Sequence, residues 1–222
     1  MPEVIINGAE GRIEARYHHG SNPYAPTALI LHPHPEQGGT MNNKVTYALF
    51  RTFVNRGFNT LRFNFRGVEK SEGRFSHGEG ELSDAASVLD WMQVYNPNAS
   101  QCWVAGFSFG AWIGMQLLMR RPELDGFISI SPPANMYDFS FLAPCPVSGL
   151  IVQGDADQIV TKLSVDELVQ KLSLQKNIFI EKKIIEEADH FFTNKLDILV
   201  RHVDNYLVTN AQGKKAGLRA QP

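Results

Sequence analysis

Apolar residues fall into two kinds of segment along this chain. Short apolar-rich stretches recur at Ala28–His32, Phe58–Phe65, Cys102–Gly106, Gly126–Ile130, Val147–Gln153 and Ile178–Ile185. Each has the length of a strand, and Ala28–His32 is apolar without interruption, as a strand buried on both faces should be. Between them lie longer segments whose apolar positions repeat with helical spacing. Lys44–Arg56 places Val45, Leu49, Phe50, Phe53 and Val54 on one face and is closed by Gly57. Leu82–Tyr95 does the same with Leu82, Ala85, Ala86, Leu89 and Met92, and Pro97 stops it. Ala111–Arg120, Val165–Leu172 and Leu196–Val208 predict three further helices. Ahead of them all, Val4–Asn7 and Arg12–Tyr17 flank Asn7-Gly8 and Glu10-Gly11, a hairpin signal. Strands alternating with helices predict an α/β architecture, with parallel strands covered on both faces.

The pattern contains no internal repeat. A length of 222 residues suits one domain, placed at residues 1–209. Residues 210–222 are polar and glycine-containing and are expected to form a disordered tail. No apolar run approaches the ~20 residues of a membrane span, and the start lacks the basic-then-apolar layout of a secretory signal. The net charge of −2 provides no field that would favour nucleic acid or an anionic membrane. Sparse cysteine use, Cys102 and Cys145 alone, suits a reducing compartment, so a cytoplasmic protein is expected.

The chemistry is concentrated in "CWVAGFSFGAWIG", residues 102–114. A strand ends, Ser108 stands between Gly106 and Gly110, and a helix begins with small residues. Chance alone gives G-x-S-x-G in about one chain in fifteen of this length, so the context carries the reading. A serine on a sharp strand-to-helix turn points its hydroxyl beyond the carboxyl end of the sheet, where ligands bind. Such a hydroxyl is a poor nucleophile without a base. On a sheet of this kind the order is Ser, then Asp or Glu, then His. Only His190 and His202 follow Ser108. His202 falls within the last helical pattern, whereas His190 lies on a loop between a strand and that helix. The carboxylate should follow the Val147–Gln153 strand, where Asp155 and Asp157 compete. Asp155, beside Gly154, suits a turn; Asp157, one step further out, is chosen to orient His190. Asp189 is adjacent to His190 and points elsewhere.

Acyl transfer also needs N–H donors for an oxyanion. One is expected from Phe109, the residue after the nucleophile. The other comes from the loop after Ala28–His32, which reads "HPHPEQGGTMNNK". Pro33 and Pro35 carry no N–H, so His34 is the donor between them. His32 and His34 lack the further ligands of a metal site, and neither metal nor cofactor is expected. Asn42 and Asn43 suit capping of the next helix. Arg66 has two readings: a structural tie between loops, or a contact to an acidic substrate.

Five stretches, "LHPHPEQGGTMNNK", "LRFNFRGVEKSEG", "GFSFGAWIG", "GDADQIV" and "ADHFF", resemble the small bacterial serine hydrolases related to dienelactone hydrolases, within the α/β-hydrolase superfamily. The resemblance covers nearly everything up to the tail. It implies an eight-stranded, mostly parallel sheet with helices on both faces and esterase-type chemistry on Ser108, Asp157 and His190. Dienelactone hydrolases proper carry cysteine at the nucleophile, so Ser108 speaks against a dienelactone substrate. Many relatives have proline after the "IV" of the Asp loop, where this chain has Thr161 and Lys162. The segment "PPANMYDFSFLAPCP" is too short for the cap domain of larger members. An open cleft is therefore expected, with Met136, Tyr137, Phe139 and Phe141 as apolar walls or as core. The expected activity is hydrolysis of small carboxylic esters or thioesters, with a small acyl molecule as the partner. The alternatives are a small-peptide or amide hydrolase, and a non-catalytic ligand-binding protein on the same fold. An exposed apolar face would make a homodimer, and nothing in the sequence locates one.

Overall fold

A computed structural model describes residues 3–211. Its strands are β1 (Glu3–Gly8), β2 (Gly11–His18), β3 (Thr27–Leu31), β4 (Asn59–Phe63), β5 (Cys102–Phe107), β6 (Gly126–Ile130), β7 (Gly149–Gly154) and β8 (Ile180–Ile185). Its helices are α1 (Lys44–Asn55), α2 (Glu79–Tyr95), α3 (Phe109–Arg120), α4 (Lys162–Ser173) and α5 (Leu196–Asn210). The eight strands form one sheet in the order β1-β2-β4-β3-β5-β6-β7-β8. The β1–β2 hairpin and the β2–β4 pair are antiparallel, and every other pairing is parallel. This is the α/β-hydrolase fold.

The period-2 geometry of the strands divides the core into two layers. Ala28 and Ile30 of β3, with Trp103, Ala105 and Phe107 of β5, pack under α1 and α5. Leu29, Leu31 and Val104 face the other way, under α2, α3 and α4. These central strands are buried on both faces, which is why they read as nearly unbroken apolar runs.

Three helices begin earlier than their apolar spacing predicts. α2 starts at Glu79 because the Glu81 carboxylate turns back to accept the N–H groups of Ser76 and Gly78. The Thr161 hydroxyl caps α4 at Ser164 N–H. α3 begins at Phe109, directly after the serine. Apolar periodicity cannot report the polar starts of α2 and α4, and at α3 Gly110 hides the start. Asn210, read as the start of the tail, closes α5; the rest of that tail, 212–222, lies outside the described residues. Between β6 and β7 only a single short turn, Ser140–Leu142, interrupts the loop, so no cap domain covers the carboxyl edge there. Among the described residues no helix is long and apolar enough to cross a membrane.

Candidate active site

Ser108 follows β5 at the centre of the sheet. Its φ of 54° is a conformation that L-residues rarely adopt, and its N–H is held by the Ile130 carbonyl at 2.8 Å. The turn closes only because its neighbours lack a Cβ. A Cβ on Gly110 would lie 2.5 Å from the carbonyl oxygens of both Leu31 and His32, and one on Gly106 would run into the Gly110 carbonyl.

The loops after β7 and β8 bring two more side chains to this corner. His190 Nε2 lies 3.1 Å from Ser108 Oγ, and His190 Nδ1 lies 2.8 Å from Asp157 Oδ2. All three residues are buried. A carboxylate only accepts, so the imidazole proton sits on Nδ1 and the Nε2 lone pair faces the hydroxyl. Phe107 and Phe191 hold the ring, with centroids 4.9 and 5.3 Å away.

Asp157 is saturated with donors. Oδ1 accepts from Ile159 N–H at 2.9 Å and Val160 N–H at 2.8 Å, while Oδ2 accepts from His190 and from Gln153 Nε2 at 3.1 Å. Burial pushes its carboxyl up, but the hydrogen bonds from His190 and from the Val160 and Ile159 N–H groups outweigh that and hold it below the usual range. The other acids are engaged elsewhere. Asp155 accepts from Glu187 N–H, and Asp189 accepts from Phe191 and Thr193 N–H. His202 lies on α5.

Gln153 did not emerge from the sequence. It is a fully buried amide on β7, with Nε2 facing Asp157, the Gly154 carbonyl and the Val160 carbonyl. Its signal was a polar residue at the end of an otherwise apolar strand, one that a hydrophobic core does not need.

His34 and Phe109 both line the cleft, and the backbone N–H of neither has a hydrogen-bond partner among the described residues. Phe109 is the first residue of α3, whose N-terminal dipole favours negative charge there. The His34 imidazole caps its own turn by accepting Glu36 N–H at 3.2 Å. His32 is occupied at both nitrogens: Nδ1 donates to the Pro33 carbonyl at 2.6 Å, and Nε2 accepts Phe65 N–H at 3.0 Å. Burial pushes this ring down to about 3, so it stays neutral and ties the His34 loop to the β4 loop. Asn43 caps α1 through Val45 N–H, while Asn42 accepts from Arg62. Arg66 takes the structural role: it grips Asp84 through two hydrogen bonds and meets Glu10 at 2.9 Å.

Above Ser108 opens a cleft of about 510 Å³, walled by the β3 loop on one side and by Met136, Tyr137 and Ile159 on the other. Of the four expected wall residues, Met136 and Tyr137 line it. Phe139 lines a separate groove beside α4, and Phe141 packs on the core. The separation has a local cause: Tyr137 stacks on Trp112, whereas Phe139 and Phe141 stack on each other one turn further on.

The sequence model of the X-Pro dipeptidyl-peptidase (S15) family matches residues 14–155, a span that includes Ser108 and stops before Asp157 and His190. An uncharacterised Rickettsia prowazekii protein is 53% identical over 213 residues, covering 94% of this chain and 90% of its own. A solved structure of a protein of unknown function from Agrobacterium tumefaciens is 57% identical, covers 96% of this chain and 98% of its own, and superposes with a TM-score of 0.93. A Xanthomonas campestris protein described as an α/β serine hydrolase without a lid is 31% identical, covers 100% of this chain and 96% of its own, and has a TM-score of 0.85. The fold, the lidless cleft and these matches together place the chain in the family described by the S15 sequence model, as a small hydrolase of the α/β-hydrolase superfamily.

Proposed function

We propose that this hydrolase cleaves small carboxylic esters or thioesters through an acyl-enzyme on Ser108. The observation that carries this is the hydrogen-bonded series Ser108–His190–Asp157, opening into an unlidded cleft. In this reading Ser108 Oγ attacks the carbonyl carbon while His190 Nε2 takes its proton. The N–H groups of His34 and Phe109 hold the oxyanion, and Asp157 stabilises the imidazolium. His190 returns the proton to the departing alcohol or thiol, leaving an ester on Ser108. Water then attacks that ester with His190 again as base, releasing the acid and the free hydroxyl. No step calls for a metal or cofactor.

The family description favours a second reading, a peptidase that removes an N-terminal dipeptide. Such a substrate presents an α-ammonium, which a buried site must meet with a carboxylate. Among the described residues the cleft lining includes no Asp or Glu, which favours the ester reading. Both cysteines are buried free thiols, in keeping with our reading of a cytoplasmic protein.

The test is intact-mass analysis after incubation with a fluorophosphonate, alongside Ser108→Ala. Wild type should gain one adduct and the variant none; esters, thioesters and Xaa-Pro anilides then rank the substrates. Folded wild type that gains no mass would refute the proposal.

A further inference from the structure

The strand order places chemically different walls on the two sides of Ser108. β5 carries the serine; β3 is its neighbour on one side, and β6 then β7 lie on the other. The loop after β3 brings Gln37 and Asn43 to the cleft. The loops after β6 and β7 bring Met136, Tyr137 and Ile159, and Asn135 Nδ2 ties them together by donating to the Ile159 carbonyl at 2.9 Å. Met136 and Ile159 are 52% and 46% exposed and line the same opening. On the β3 side, the Gln37 side chain makes no hydrogen bond among the described residues, and Asn43 uses only its oxygen, in capping α1. Two amides are thus free to donate. Among the described residues no Asp, Glu, Lys or Arg lines the cleft. Lys44, the residue after Asn43, donates to the Thr193 hydroxyl.

The same Lys44–Thr193 bond, at 3.3 Å, joins the start of α1 to the loop that carries His190. An apolar acyl chain matches the side chains of Met136, Tyr137 and Ile159, and a hydroxylated alcohol matches the free amides of Gln37 and Asn43.

Resting on the ester reading above, we infer that the substrate is an uncharged two-part ester: a short apolar acyl chain on Met136, Tyr137 and Ile159, and a neutral hydroxylated alcohol on Gln37 and Asn43. A charged group on either part would enter a cleft whose described lining carries no Asp, Glu, Lys or Arg, while a hydroxyl can accept from the two amides.

The test compares kcat/KM for glycerol monobutyrate, glycerol monoacetate, ethyl butyrate, choline butyrate and butyryl glycolate, in wild type, Gln37→Ala and Met136→Ser. Glycerol monobutyrate should exceed both charged esters by about tenfold or more. Gln37→Ala should remove its advantage over ethyl butyrate. Met136→Ser should lower the preference for glycerol monobutyrate over glycerol monoacetate by about fivefold. Charged esters turned over as fast as the glycerol ester, or selectivity unmoved by both substitutions, would overturn the inference while a labelled Ser108 leaves the ester reading intact. A wild type that is neither labelled nor active on any ester removes both together.

Discussion

Replacing Asp157 by asparagine tests the site most sharply, because the structure specifies what goes wrong. The carboxylate receives four N–H donors, two on each oxygen. A carboxamide offers one accepting oxygen and one donating NH₂. If its oxygen keeps the Ile159 and Val160 N–H groups, its NH₂ faces His190 Nδ1 and Gln153 Nε2. The two backbone donors cannot move, whereas the imidazole can shift its proton, so this orientation wins. His190 then carries its proton on Nε2, pointing at Ser108, and cannot act as a base. A wrong tautomer of this kind lowers the rate by about 10⁴, or ~5.4 kcal/mol of barrier. Gln153 loses a hydrogen bond to a charged group, so stability should fall by about 1.5–3 kcal/mol as well. The assay is the fluorophosphonate labelling rate at neutral pH by intact mass, with urea unfolding to confirm the native state. Asp155→Asn is the control: that residue accepts only Glu187 N–H, which an amide oxygen also does, so labelling should stay within about twofold of wild type. Asp157→Asn labelling within about tenfold of wild type would refute the argument.

Gln153→Met removes one of the four donors to Asp157 and the donor to the Gly154 and Val160 carbonyls, and should cost about 1–3 kcal/mol in urea unfolding; an unchanged stability would show that the fold does not need the amide. Arg66→Met strands the buried Asp84 carboxylate and should cost about 3–5 kcal/mol in urea unfolding, with much of it recovered by adding Asp84→Leu. Gly110→Ala drives a Cβ into two backbone carbonyls and should lower Tm by roughly 6–12 °C, measured calorimetrically. His32, pushed down to about 3 when folded, titrates near 6.5 when unfolded. The unfolded chain therefore binds the proton first, and stability falls as pH drops below 6.5, by about 2 kcal/mol at pH 5. His32→Gln, whose amide can make both bonds, should flatten that slope in urea melts.

Much of this was legible because local chemistry imposed it. The β5 strand could be read from its apolar run, and the sharp corner at Ser108 from two glycines that no other residue could replace at that approach distance. His190 was singled out by elimination, since the one other histidine after Ser108 sits in a helical pattern. Asp157 and Asp155 were harder to separate, because both occupy the same polar loop and differ only in which way the turn aims them. Phe139 could not be told from Tyr137 by composition: two aromatic residues two positions apart are equally apolar, and only stacking on Trp112 or on Phe141 assigns one to the cleft and the other away from it.

The sequence by itself determined the alternation of strand and helix, the position of the serine turn and the order in which base and acid must follow, because periodicity, glycine sterics and proline punctuation act over a few residues. Tertiary structure alone decided what lies beside what. Residues 108, 157 and 190 meet because three parallel strands end at one edge. His32 ties one loop to another, and polar and apolar walls face each other across Ser108, for the same reason. These depend on strand order and on the direction of a buried side chain, and contacts between segments 33 to 82 residues apart leave no periodic trace in the chain.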